Sequence, residues 1–217
     1  TLAQGGPQAL LTDVPAVYRT EINDLLLSAL VQAFAAWTGQ TSLQFDLEGH
    51  GRQDIEPGLD LSRTVGWFTT LFPVVLKLPT GSLGDVIKSV KEQLRAIPER
   101  GLGYGLLRYL ASDTGAGAAL AGAESSQVRF NYLGQLDRGS PESTLFRPLP
   151  TGSGAAQSPR AQRSHLLDIS GYVLGGQLHM QWTYSAHHHA QATIESLAGS
   201  FITALRYIVD EWLWRSG

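Results

Sequence analysis

The densest polar chemistry in the sequence sits in five consecutive residues. Glu48-Gly49-His50-Gly51-Arg52 places a carboxylate, an imidazole and a guanidinium at alternate positions with glycines between them. A carboxylate in such a loop can pair with Arg52 or cap a turn; held at a cleft, the same group can move a proton. His50 and Arg52 read as groups that orient the loop or Glu48 rather than as proton carriers. A second candidate pair is Asn131-Tyr132. These are either ordinary strand residues or an amide and a phenol able to donate hydrogen bonds to a developing oxyanion. The chain has no cysteine, which excludes disulfides, thiol nucleophiles and thiolate metal sites and leaves oxygen and imidazole groups for chemistry.

Other conspicuous residues carry less. His187-His188-His189 are consecutive, and successive side chains of a strand or helix diverge; with no carboxylate cluster beside them they read as exposed loop rather than a metal site. Gly101-Leu102-Gly103-Tyr104-Gly105 follows Pro98 rather than a strand and lacks the last glycine of a dinucleotide-binding fingerprint. Arg63, Trp67 and Tyr104 read as packing and loop-positioning groups. No GxSxG element marks a serine hydrolase.

The elements that must position these groups follow from periodicity. Residues 1–15 form a lead-in without a clear period. Thr20 is placed to cap a helix whose Ile22, Leu25, Leu26, Ala29, Leu30, Ala33, Phe34 and Trp37 recur at helical spacing until Gly39, with one face buried. Leu43, Phe45 and Leu47 alternate with polar residues, predicting a half-buried strand that ends at Glu48. Arg63 to Leu78 reads as two short strands, or one broken at Pro73. Ser82 and Asp85 form a capping box for a helix running to Pro98. A glycine-rich turn at 101–105, a short helix over 106–110 and a small-residue loop or frayed helix over 111–126 come next. Val128 to Leu133 has strand character, 137–163 reads as a long loop, and Leu166 to Tyr184 reads as a hairpin turning at Gly175-Gly176. A final helix is predicted from about Thr193 to Trp214. Helices interleaved with strands, and no internal repeat, indicate an α/β sandwich.

Composition narrows the partners. The 217 residues, 43% hydrophobic and only 16% charged, suit one domain with part of its surface facing protein. A net charge of -3 without a Lys/Arg run gives no footprint for nucleic acid. No apolar stretch is long enough to span a bilayer. A soluble, cytoplasmic protein is the expectation.

Four of these segments are similar, in order, to signatures of epimerization domains of non-ribosomal peptide synthetases, members of the condensation-domain superfamily. Glu48 to Arg52 resembles EGHGRE, with Gln53 replacing the last glutamate. Arg63 to Thr69 followed by Phe72-Pro73 resembles RTVGWFTxxYP; Pro98, Gly101, Gly103, Tyr104 and Gly105 resemble PxxGxGYG; Phe130 to Gln135 with Asp137 resembles FNYLGQxD. Asp24 to Leu30 is also similar to the DxLLxA helix. The likeness runs from near Leu10 to the last helix.

The resemblance implies a chloramphenicol-acetyltransferase-like fold, with residues 1–217 as the C-terminal half of such a domain. It implies inversion of the Cα of an aminoacyl or peptidyl thioester held on the phosphopantetheine arm of a peptidyl carrier protein, with no cofactor or metal of the domain's own. Glu48 would be an acid/base, Tyr132 and Asn131 would serve the enolate, and His50 and Arg52 would support the loop. The family's HHxxxDG motif is not in this sequence, and His187-His188-His189, followed by Ala190-Gln191-Ala192, does not replace it. An N-terminal subdomain carrying that motif is the expected partner, and the fragment alone is expected to be inactive. Two alternatives remain: a condensation or dual-function domain, against which the EGHGR and NYLGQ signatures argue, and a non-catalytic module that docks a carrier protein.

Overall fold

The computed structural model describes residues 9–52, 60–111, 115–136, 154, 158 and 161–216. The start of the lead-in, residues 53–59 and most of the 137–163 loop lie outside the described residues. The end of the lead-in is ordered structure rather than aperiodic chain: a π-helical turn, Ala9–Asp13, runs into helix α1, Val14–Tyr18, and Leu10 and Val14 are fully buried.

Helix α2 spans Ile22–Thr38 and stops at Gly39 as expected, but its cap is Glu21 rather than Thr20. The Glu21 N–H donates to Asp24 Oδ2 at 2.8 Å, satisfying a helix-entry donor from inside the first turn. The expected single buried face is also corrected, because Leu25 through Val31 are buried without interruption. A helix apolar on all sides belongs in an interior. Here α2 packs against strand β1, Ser42–Gly49, helix α3, Leu83–Arg95, and the C-terminal helix α6, Gln191–Ser216. Fully burying each of its leucines contributes about 1.5–3 kcal/mol.

Strand β2, Thr70–Lys77, is continuous through Pro73, which pairs with Asp46. The expected break is absent because β2 is the edge of the sheet, where proline is tolerated. The Ser82–Asp85 capping box opens α3 as predicted, and Leu83, Val86, Ile87 and Val90 enter the core. A 3-10 turn, Pro98–Gly101, leads into α4, Leu102–Leu110, so Gly103 and Gly105 are helical rather than parts of a turn. Helix α5, Gly115–Ala121, precedes β3, Val128–Gln135, and the hairpin of β4, Leu167–Leu174, and β5, Gln177–Tyr184, closes at Gly175-Gly176.

The five strands form one mixed sheet in the order β2-β1-β3-β4-β5. The β1–β2 and β4–β5 pairs are antiparallel, and β1–β3 and β3–β4 are parallel. Alternation sends Phe45, Leu47, Phe72, Val74, Phe130, Ile169 and Leu178 to one face, into a single core shared with α2, α3 and α6. The Trp182 ring meets Phe201 of α6 edge-on, 5.8 Å between centroids. The other face carries Gln44, Asp46 and Glu48 of β1 and Arg129 and Asn131 of β3. This is the expected α/β sandwich.

Candidate active site

Glu48 is the penultimate residue of β1, half-buried, and pairs across the edge with Leu71. Its loop is locked to the segment before β2 by close backbone approach. A Cβ on Gly49 would sit 2.8 Å from Thr70 Oγ1, and at Gly51, with φ of +67°, it would overlap the Phe68 carbonyl oxygen. Only glycine meets both demands at position 51. Arg52 completes the lock. Its guanidinium donates to the carbonyl of Leu61 and, at 2.8 Å, to that of Thr64, and it lies 4.1 Å from the Phe68 ring centroid. The Arg52 N–H donates to His50 Nδ1 at 3.0 Å. Thus the two motifs, separate in the chain, form one unit about the end of β1.

Arg52 does not pair with Glu48, whose carboxylate has no ion pair or side-chain hydrogen bond among the described residues. Glu48 and His50 border a cavity of about 170 Å³ closed by the start of α2 and the end of α3, with Asp24, Arg95 and Arg100 on its walls. Burial raises the carboxyl of Asp24 above its ordinary value, partly offset by the Glu21 N–H.

On β3, the parallel register pairs Asp46 with Arg129 and Leu47 with Phe130. One position further along each strand, Glu48 and Asn131 follow on the same face of the sheet. Tyr132 takes the opposite face, since successive strand residues alternate. It packs against the core, and a Cβ on Gly171 would lie 3.4 Å from its ring and 2.8 Å from Met180 Sδ. The structure therefore brings Glu48 and Asn131 together and separates both from Tyr132.

Sequence reasoning missed a second polar group on this face. His165 Nε2 donates to Asp46 Oδ2 at 2.8 Å, and Ser164 Oγ lies 3.0 Å from His165 Nδ1. These residues border a cavity of about 520 Å³ between β1, β2 and α4. The polar phase of β1 marks Asp46 as a position off the core, but nothing local links it to a histidine 119 residues away. His187, His188 and His189 fall in the turn after β5, and His189 meets Trp37 edge-on. Among the described residues no group of three or more His, Asp or Glu gathers as a metal site, and no helix is long and apolar enough to cross a membrane.

One mixed sheet layered with helices, carrying Glu48 at a strand end, is the frame in which comparison with known proteins identifies the family. Residues 4–212 match the condensation domain family, and the chain belongs to it. One of the linear gramicidin synthase proteins of Brevibacillus parabrevis is 47% identical over 203 residues, 93% of this chain and 3% of that protein. Chondramide synthase from Chondromyces crocatus is 45% identical over 212 residues, 98% of this chain and 5% of that protein. The crystal structure of the epimerization domain from the third module of tyrocidine synthetase B superposes with a TM-score of 0.89 at 38% identity, over 100% of this chain and 48% of that one. The resemblance to an epimerization domain and the fold it implied both stand. The chain spans a small fraction of these synthetases and about half of that domain.

Proposed function

We propose that the chain is part of an epimerization domain that inverts the Cα of an L-aminoacyl or peptidyl thioester on a carrier protein. A base removes the Cα proton from one face, an enolate-like oxyanion forms, and an acid returns a proton to the other face. No atom is gained or lost, and no cofactor is required. Glu48 is one of the two proton-transfer groups, and the other is the histidine of HHxxxDG on the N-terminal subdomain. Asn131, on the same sheet face, is placed to donate to the oxyanion. Tyr132 supports that strand from the core side.

The observation that carries this reading is the separate engagement of Arg52 and Glu48. The guanidinium is committed to two backbone carbonyls and an aromatic ring, so the neighbouring carboxylate is not held in a structural pair. The test follows conversion of L- to D-aminoacyl thioester on a carrier protein. In the complete domain Glu48→Gln lowers the rate by roughly 10²- to 10⁴-fold, and this chain without its partner half gives no turnover. Retention of full rate by Glu48→Gln would refute the assignment. Cytoplasmic location is part of the same proposal, since carrier-bound thioesters are made there.

A further inference from the structure

The sheet face that carries Glu48 and Asn131 also carries a chain of polar contacts, one step before them along the strands, that the proposed chemistry does not use. Its hub is Arg163. The guanidinium donates to Asp168 Oδ2 at 2.6 Å, to the carbonyl oxygen of Thr183 on β5 at 3.0 Å and to that of His165 at 3.2 Å. Both ends of the chain reach strands of the site. His165 holds Asp46 of β1, and Asp168 of β4 lies 2.7 Å from Arg129 Nε of β3, a charge contact rather than an aligned hydrogen bond. Arg129 in turn stands beside Asp46 in the parallel β1–β3 register, which closes the circuit. The side chains of Arg163, Asp168 and Arg129 are 29%, 19% and 32% exposed, so water competes with these contacts less than with an open surface ion pair.

Strand β1 is held unevenly on its two sides. Eight residue pairs, from Ser42 to Gly49, join it to β2, whereas among the described residues two pairs, Asp46 with Arg129 and Leu47 with Phe130, join it to β3. That ladder stops one position short of Glu48 and Asn131. Just beyond Asn131, β3 leaves regular pairing with β4 between Tyr132 and Gln135, around Gly134 at φ of +83°. Asn131 therefore stands between a two-pair ladder and a bulge, and backbone pairing fixes Glu48 more firmly than it fixes Asn131. Resting on the epimerization reading, we infer that Arg163 is a positioning residue: by clamping His165 to Asp46 and Asp168 to Arg129 it holds β3 against β1 and sets Asn131 beside Glu48. It acts on the reaction through Asn131 and not on the substrate.

The test uses the complete domain. Lysine keeps the charge but cannot grip three acceptors with one planar fork, so Arg163→Lys is expected to lower kcat about tenfold at an unchanged KM. In an Asn131→Ala background the same substitution is expected to lower kcat by less than about twofold, because the group it positions is gone. Asp168→Asn, which takes the charge from the centre of the clamp, should behave as Arg163→Lys does. Ile169→Val is the control for stability, since Ile169 lies on β4 but faces the core at 1% exposure; it lowers the urea midpoint and leaves kcat in place. Full kcat in both clamp variants, a loss carried by KM, equal losses with and without Asn131, or an equal loss in Ile169→Val overturns the inference. The side-chain amide signal of Asn131 in NMR spectra gives a readout independent of turnover: Arg163→Lys should shift it and Ile169→Val should not. If the wild-type domain epimerizes nothing, the functional proposal fails, while the amide signal still decides the clamp, a shift in Arg163→Lys alone supporting it and an unmoved signal overturning it.

Discussion

His165 and Asp46, 119 residues apart, meet through an Nε2–Oδ2 hydrogen bond of 2.8 Å, with the imidazole only 6% exposed. The bond ties the chain entering β4 to the middle of β1, two strands away, across the face that carries Glu48. With the imidazole buried and the carboxylate partly exposed to the cavity, the pair stabilises while both partners are present, and loss of Asp46 leaves a buried ring nitrogen without its acceptor. His165→Ala is expected to cost about 2–3 kcal/mol in urea unfolding. Asp46→Ala should cost a similar amount, and the double variant less than the sum. Additive effects would mean that the two side chains contribute independently.

Gly101 faces the ring of Phe72, which is 4% exposed and opposite Leu47 in the register. Its φ is +82°, and a Cβ would overlap the ring. Gly101→Ala therefore combines a backbone penalty with overpacking, about 2–4 kcal/mol together. The urea midpoint should fall accordingly. Gly103→Ala is the contrast, since Gly103 is helical and a Cβ there meets nothing within 4 Å. That variant should be neutral or gain up to about 1 kcal/mol.

This pair also shows where sequence reading stops. Strand β1, the β4–β5 hairpin and the Ser82–Asp85 box were legible because their signals are local: alternation, a two-glycine turn, a cap three residues from its partner. The glycines at 101, 103 and 105 look alike in sequence, yet only the first needs its glycine, because Phe72 lies against it. Pro73 reads as a break until the order of strands shows it on an edge. The all-round burial of α2 depends on α6, more than 150 residues further on. At the site, the motifs pointed to Glu48, Asn131 and Tyr132, but only the β1–β3 register shows which of them share a face. The Asp46–His165 pair left no sequence signal.

Asp24 offers a test of burial through pH. Its carboxyl titrates above the ordinary value of 3.8 in the fold, chiefly because burial disfavours the charge. The folded chain thus holds this proton more tightly than the unfolded chain does. The stability this provides is complete below the ordinary value and is lost as pH rises through the raised one. Asp24→Asn removes the titration. The stability of the variant relative to wild type should therefore grow more favourable as pH rises from the ordinary value through the raised one and level off above it. Paired urea unfolding curves across that range measure it, and a difference independent of pH would contradict the raised value.

Arg52 joins loop geometry to the proposed chemistry. Its planar fork reaches two carbonyls, those of Leu61 and Thr64, while its face lies on Phe68. Lysine keeps the charge but offers one ammonium, which cannot span both carbonyls or stack as a plane. Arg52→Lys should therefore release the segment leading to Phe68 and, through Gly51, loosen the loop that follows Glu48. Limited proteolysis should cut within residues 60–69 sooner than in wild type. In the complete domain the loss should fall mainly on kcat, between about tenfold and a hundredfold, since a displacement near 1 Å at a reacting group has that scale of effect. A KM increase at unchanged kcat would instead make Arg52 a contact for substrate binding. Wild-type kcat with accelerated cleavage would show that Glu48 keeps its position through β1 alone.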